Sequence, residues 1–419
     1  MKKTLLSIAL VSVLGAAALA AQTLTVWDFK YSEVNATGAQ APMKANDAAF
    51  EQAHPGVTIN HVAQPTDNTQ YYQIIQSAAT ANSGPDVAMF HPGGRVDGFA
   101  DIIVDLDPYI KDVKSQFTTA SIEMCSLNQK LGNPVKVLPL TMQGFGIYYN
   151  KAYFKQAGLN PDKAPKTPAE FLAACEKLKA AGIVPITTGQ TYTIDFFLRC
   201  AAANAYGPKV AGLVDGSEKF DTPVFKESAT FLKTLVDKGY IEKEGLSRPY
   251  FMDAIDKFAA GGGAIFVGLL SDVGNWKIFS DKLGADNVGY FPAVNFADGK
   301  YKDQQSAQGA GIAYGVMKWS KNQKLAAEYV KFVTTGQGAK VYASATGALS
   351  PNTAAAGGAT AYPVLKVIQG YLKNSQKDYI AIGYNGFEDD SNRLCDQAFV
   401  TNQLSIDDFI AEYQKLITK

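Results

Sequence analysis

Histidine is nearly absent, with three in 419 residues. His54 and His61 flank one strand instead of sharing a helix face, which argues against a two-histidine metal site. Cysteine is almost as rare. Cys125, Cys175, Cys200 and Cys395 contain no C-x-x-C pair; in an exported chain four cysteines permit one or two disulfides in any of three complete pairings, and they fit buried thiols equally well. Net charge is missing altogether, 39 basic residues balancing 39 acidic ones. No overall field then favours nucleic acid or an anionic membrane, so partners must be recognised locally. Beyond the N-terminus no run approaches the roughly 20 apolar residues that a spanning helix needs.

The motifs of several enzyme classes are also lacking. No G-x-S-x-G elbow occurs. Gly309 and Gly311 do not complete G-x-G-x-x-G, because the next glycine falls at Gly315, and Gly261-Gly262-Gly263 lacks the Gly-Lys-Ser/Thr ending of a phosphate cradle. Asp389-Asp390, and Asp105 with Asp107, are the acid pairs a glycosidase would use, but adjacent acids on loops are ordinarily solvated.

What is present points to a mixed α/β protein. The length suggests two domains, and 21 Tyr, 23 Phe and 37 Gly suit polar, aromatic-lined surfaces. The N-terminus reads as a secretory signal: Lys2 and Lys3, then apolar and small residues over 5–20, with Ala18-Leu19-Ala20 as the cleavage site. No cysteine lies near that site, so the expectation is a free, exported protein, periplasmic or extracellular.

Alternation predicts strands at 23–27 and 57–62, with a helix over 42–52 between them that ends at His54-Pro55-Gly56. That is the parallel βαβ pattern. A helix over 68–81, stopped by Ser83-Gly84-Pro85, leads to a short buried strand at 87–90. Ligands of open α/β sheets sit beyond the carboxyl ends of strands, which singles out the loops after Trp27 and Phe90. The stretch 138–158 carries Gly144 and Gly146 ahead of the aromatic strand Ile147-Tyr148-Tyr149 and reads as a connector between two globular lobes, its glycines placed for hinge motion. Thr167-Pro168-Ala169-Glu170 is a capping box opening a helix. Further helices are expected over 223–238, capped by Thr222, and over 251–260, 323–335 and from Ser405 onward, with strands at 184–187, 264–268 and 312–317.

Several segments, in order, resemble the extracellular solute-binding proteins of bacterial ABC sugar importers, the family of maltose-binding protein. They are the LTVWDF start, Phe50-Glu51 before His54-Pro55-Gly56-Val57, Ser83-Gly84-Pro85-Asp86-Val87, and Leu138-Pro139 before Tyr148-Tyr149-Asn150-Lys151. Thr167-Pro168-Ala169-Glu170-Phe171, Gly263-Ala264-Ile265, the glycines ahead of Ser320-Lys321-Asn322, and Leu349-Ser350-Pro351 continue the series. The resemblance implies a two-lobed periplasmic-binding-protein fold of type II, with lobe 1 built from 21–142 and 312–350 and lobe 2 from 143–311 and 351–419. It further implies a sugar held between the lobes, an ABC permease as partner, no nucleic acid, no metal or cofactor, no catalysis and a monomeric chain. Another polar solute, such as a polyol, a polyamine or a glycerol-phosphate ester, is the alternative ligand, and a secreted carbohydrate-active enzyme the alternative class.

A sugar cleft needs aromatic faces for C–H groups and planar polar partners for hydroxyls. By segment match the candidates are Trp27, Asp28, Tyr31, His91 and Arg95 in lobe 1, and Gln143, Tyr192, Asp195, Asp272, Trp276, Gln308 and Tyr384 in lobe 2 and the crossovers. Trp27 and Trp276 fit a core position as well as a stacking platform. The family commonly has Gly-x-Trp after the strand that is 264–268 here; this chain has Gly268-Leu269-Leu270, and its tryptophan comes only at Trp276.

Overall fold

The structure, a computed structural model, describes residues 22–32, 38–189, 192–246, 251–270, 274–355, 362–372, 375–376, 379 and 383–418. For Tyr192, Lys243, Phe251, Met252, Ala307, Gln308 and Gln376 it describes the backbone alone. The segment that the sequence predicts as a secretory signal lies outside the described residues.

Lobe 1 begins with β1 (Gln22–Asp28), α1 (Gln40–Ala53), β2 (Val57–Ala63), α2 (Asn68–Ala81) and β3 (Val87–Phe90). Its sheet is completed by β4 (Leu138–Pro139). The chain then passes to lobe 2, where β5 (Gln143–Asn150), β6 (Ile186–Thr187), β7 (Ile265–Leu269), β8 (Val288–Phe291) and β9 (Gln305–Gln308) form most of a second sheet. It returns to lobe 1 for β10 (Ala313–Val316) and finally adds β11 (Ser375–Gln376) to lobe 2. Strand order is β2-β1-β3-β10-β4 in the first sheet and β11-β9-β5-β7-β6 in the second, with β8 also paired to β5. The strands β1, β2 and β3 are mutually parallel and β10 is antiparallel.

Local chemistry accounts for the helix ends. Asp67 accepts from the Gln70 N–H at 2.8 Å to start α2, and the left-handed Asn82 (φ 47°) stops it. Thr167 and Ser405 cap their helices, Pro168–Ala180 and Ile406–Ile417, as the sequence predicts. Thr222 occupies the cap position of Pro223–Asp237 but makes no side-chain cap bond. Helices also form where the sequence shows no clean period, among them Thr119–Cys125, Tyr192–Tyr206, Asn275–Leu283, Gly336–Thr346, Pro363–Leu372 and Phe387–Cys395.

The chain crosses between the sheets three times. Leu140 packs in the first core and Phe145 in the second, Gln308 pairs in the second sheet while Ala310 packs in the first core, and Ala348 and Leu349 divide in the same way. Met142 N–H donates to Leu349 O at 2.8 Å, tying the first and third crossings together. The chain keeps contact with lobe 1 a little further, since Thr118 N–H donates to Pro351 O and Thr353 N–H to Gln116 O. Gly146 has a packing reason instead of a torsional one: it is paired inside β5, and a Cβ there would sit 2.0 Å from Tyr290 Oη.

Candidate functional site

Because β1, β2 and β3 are parallel, β1 ends at Asp28 and β3 at Phe90 on the same side of the sheet, and the loops beyond them face the seam between the lobes. The short helix α3 (Gly94–Gly98) follows β3 and meets residues 383–389 of lobe 2. A Cβ on Gly94 would lie 1.9 Å from Gly383 O, so the two lobes touch backbone to backbone there, and one on Gly98 would lie 2.8 Å from the Asn385 side chain at Nδ2. Arg95 Nη2 stands 3.6 Å from Asp389 Oδ2 across the same contact.

On the lobe 1 side, Asp28 is fully buried and engaged. Its Oδ1 accepts from the N–H groups of Lys30 (2.5 Å) and Tyr31 (3.1 Å), and its Oδ2 accepts from Tyr314 Oη (2.6 Å). Tyr31 lies flat on the His61 ring at 3.9 Å. Trp27 is half-buried against the first core. His91 stacks on Phe29 at 4.6 Å, and its backbone N–H donates to Tyr72 Oη at 2.9 Å. Burial, then the nearby charges of Lys30 and Arg95, push the His91 pKa down to about 3, so this ring is neutral at physiological pH. Arg95 covers the Tyr72 ring at 4.9 Å while Phe99 stacks on that tyrosine. Phe29, Tyr72, His91 and Arg95 thus make one aromatic wall.

On the lobe 2 side, Gln143 opens β5 and pairs with Gln308 of β9 at the second crossing. Asp195 and Arg199 form an ion pair one helical turn apart, with Arg199 Nε donating to Asp195 Oδ2 at 2.7 Å. Arg199 also lies 3.9 Å from Glu388 Oε1 and covers the Phe145 ring at 4.8 Å. Tyr384 donates to Asp390. Tyr192 starts its helix, and Asp272 lies outside the described residues.

Trp276 is 2 % exposed, donates its indole N–H to Gly347 O at 2.9 Å, and meets Tyr362 edge-on. Its ring faces are covered by protein, and its position braces the third crossing against lobe 2. Next to it Asn275 is fully buried, and neither atom of its amide has a hydrogen-bond partner among the described residues. The amide lies against the end of β7, where a Cβ on Gly268 would be 2.7 Å from Nδ2.

The acid pairs are committed to structural bonds. Asp105 pairs with Lys136 and Asp107 with Lys114, each at 2.6 Å, while Asp390 accepts from Tyr384 and Arg393. Among the described residues no group of His, Cys, Asp or Glu could hold a metal ion, and no helix is long and apolar enough to cross a membrane. All four cysteines are buried and unpaired.

Sequence reading missed Phe29, Tyr72, Phe145, Arg199 and Glu388 at the seam. The Asp195-x-x-x-Arg199 spacing was a usable signal; the others depend on which loops the crossings bring together.

The model of the family described as bacterial extracellular solute-binding protein matches residues 32–340. A protein of Streptococcus mutans serotype c named multiple sugar-binding protein is 25% identical over 309 residues, covering 70% of this chain and 68% of that protein. The sn-glycerol-3-phosphate-binding periplasmic protein UgpB of Yersinia enterocolitica is 29% identical over 221 residues, covering 50% of this chain; the chain spans about half, 47%, of that relative's length. The solved structure of a chitin oligosaccharide binding protein superposes with a TM-score of 0.81 at 21% identity, over 94% of this chain and 98% of its own. At that identity the likeness speaks for the fold.

Proposed function

This chain belongs to the bacterial extracellular solute-binding proteins, and from that premise we propose that it captures a neutral sugar between its lobes and delivers it to an ABC import permease, without catalysis. The ligand meets the half-buried His91 and Arg95 on one side and Gln143 on the other, backed by the buried Phe29 and Tyr72 and by Phe145 and Arg199. The observation that carries the choice of ligand is the pairing of the seam cations. Arg95 already faces Asp389, and Arg199 faces Asp195 and Glu388. Cations spent in this way offer little net attraction to an anion, whereas the committed guanidinium groups and aromatic faces suit hydroxyls and C–H faces. Asp28 and Trp276 act as supports in this reading, because the protein itself occupies their polar atoms.

A glycerol-phosphate ester is the second reading, favoured by the position of Lys30 and Arg95, whose charges both act on His91. A thermal-shift screen with maltotriose, raffinose, chitobiose and glycerol 3-phosphate separates the two, since a ligand that binds only the native state raises the melting temperature. A shift with a sugar that is recovered unchanged supports the proposal. A shift with glycerol 3-phosphate alone selects the second reading, and turnover of the sugar refutes both.

A further inference from the structure

Two buried carboxylates of lobe 1, each bonded to a buried tyrosine, converge on one imidazole that the half-buried Tyr31 covers. His61 stands on β2 with Nδ1 2.9 Å from Asp47 Oδ2 of α1 and Nε2 3.3 Å from Asp28 Oδ2 at the end of β1. Tyr329, on the helix Gln323–Thr334, donates to Asp47 Oδ1 at 2.5 Å, and Tyr314 on β10 donates to Asp28 Oδ2 at 2.6 Å. Tyr31 closes the cluster by lying on the imidazole with ring planes 6° apart. Two buried carboxylates need a cation between them, and His61 is the group in that position.

A buried ion cluster is ordinarily a matter of folding alone. Here its outer end is the loop that follows β1. Asp28 Oδ1 makes its bonds to the Lys30 and Tyr31 amides, and the Tyr31 ring rests on His61 itself. The described residues of this loop are tied further by Ser32 N–H donating to Lys30 O, by Gln64 N–H donating to Asp28 O at the base, and by Phe29 packing on Tyr71 and His91. We propose that His61 is a positioning residue for ligand capture, holding the Asp28 carboxylate and the Tyr31 ring so that the loop after β1 keeps the shape that meets the ligand. This rests on the reading of the seam as the ligand site.

The groups facing His61 are Asp28 from β1, Asp47 from α1, Tyr31 from the loop, Tyr314 from β10 and Tyr329 from its helix, with Tyr71 of α2 near Asp28. Burial alone would neutralise the ring, but the hydrogen bonds and charges of Asp28 and Asp47 outweigh it and raise its pKa to about 9. The loop is therefore held across the physiological range and released above it.

Hydrogen exchange on the full chain, corrected for the chemical rate at each pH, combined with titration of maltotriose, raffinose and chitobiose, tests this. In the wild type, exchange at residues 28–32 should rise as pH passes about 9, with residues 143–150 of β5 unchanged. His61→Gln should show the faster exchange at every pH and bind the sugar that the wild type binds roughly tenfold more weakly. Tyr31→Leu, which leaves the ion cluster whole, should reproduce the weaker binding while keeping the pH dependence of exchange. Unchanged affinity in His61→Gln overturns the proposal, as does faster exchange spread evenly through the first sheet, which marks a purely structural cluster. A wild type that binds none of the three sugars refutes the functional reading and the capture role together, whereas binding that survives His61→Gln refutes the positioning role alone.

Discussion

The two lobes are held together by different chemistry. Lobe 1 carries all three histidines and a buried ionic network joining β1, β2, α1 and β10. The middle of lobe 2 is aromatic, with Phe197 meeting Phe171 and Phe231 edge to face at 5.6 and 5.1 Å, and Phe279 packed on Phe258 and Phe266. Lobe 2 also holds the buried Asp195–Arg199 pair, and lobe 1 has aromatic contacts of its own, but the two histidines with shifted titration, His61 and His91, both stand in lobe 1.

Truncating the aromatic cluster should have the largest effect. Phe197 is fully buried, and Phe197→Ala should cost about 3–5 kcal/mol through lost burial and the cavity left behind. Hydrogen exchange read by mass spectrometry should show the loss in peptides of lobe 2, equally at pH 7 and pH 9. A loss that varies with pH would break the contrast.

Next in size is the titration of lobe 1. The folded His61 ring keeps its proton to about pH 9, whereas an unfolded histidine releases it near 6.5. Its contribution, about 3 kcal/mol, is whole below 6.5 and lost as pH rises through 9. His91 has the opposite sign: held neutral, with a pKa of about 3, it withdraws stability as pH falls below 6.5. Lobe 1 peptides should be best protected near pH 6.5, where both contributions are whole, and lobe 2 peptides should vary less. Parallel pH curves for the two lobes would refute the division.

The lobes also differ in how far their sequence discloses them. The first βαβ unit was readable because β1, α1, β2 and α2 each show a clean period and a Gly, Pro or Asn stop. In lobe 2 the helix Tyr192–Tyr206 was read as a loop at its start, since its residues are apolar on nearly every side and carry no period. At the seam, Asp28 and Trp276 were legible as residue types suited to sugars, but sequence cannot show which hydrogen bonds the protein takes for itself. Asp28 is occupied by Lys30, Tyr31 and Tyr314, and Trp276 by Gly347. His61 went unnoticed as a hub because its partners lie 14 and 33 residues away in the chain.

The contact between the lobes can be tested as fit against charge. Gly94→Ala places a methyl group 1.9 Å from Gly383 O, which the molecule can relieve by keeping the lobes apart. Melting of lobe 1 should change by less than about 0.5 kcal/mol, while sugar affinity falls roughly tenfold or more because the closed state is disfavoured. Asp389→Asn removes one end of a pair whose carboxylate is 59% exposed, so it should cost under about 1 kcal/mol, less than about fivefold in affinity. Calorimetric titration of both variants ranks them. Equal losses would mean that charge, not backbone fit, holds the lobes together.

The smallest effect concerns the polar exception inside lobe 2. Asn275 is fully buried beside Gly268, with both ends of its amide unpaired among the described residues, in a neighbourhood where Trp276 and Ser280 have partners. A buried amide without hydrogen bonds carries its desolvation cost uncompensated, so an apolar side chain of similar shape is neutral or better. Asn275→Leu should therefore leave stability unchanged or raise it by about 1 kcal/mol in urea unfolding at pH 7, the opposite sign to Phe197→Ala in the same lobe. A loss of 1–3 kcal/mol would instead mean that solvent reaches the amide and a buried water completes it. Gained stability together with weakened sugar binding has a third meaning: the amide is kept unpaired for the ligand, and lobe 2, for all its apolar packing, contributes a polar contact at the end of β7.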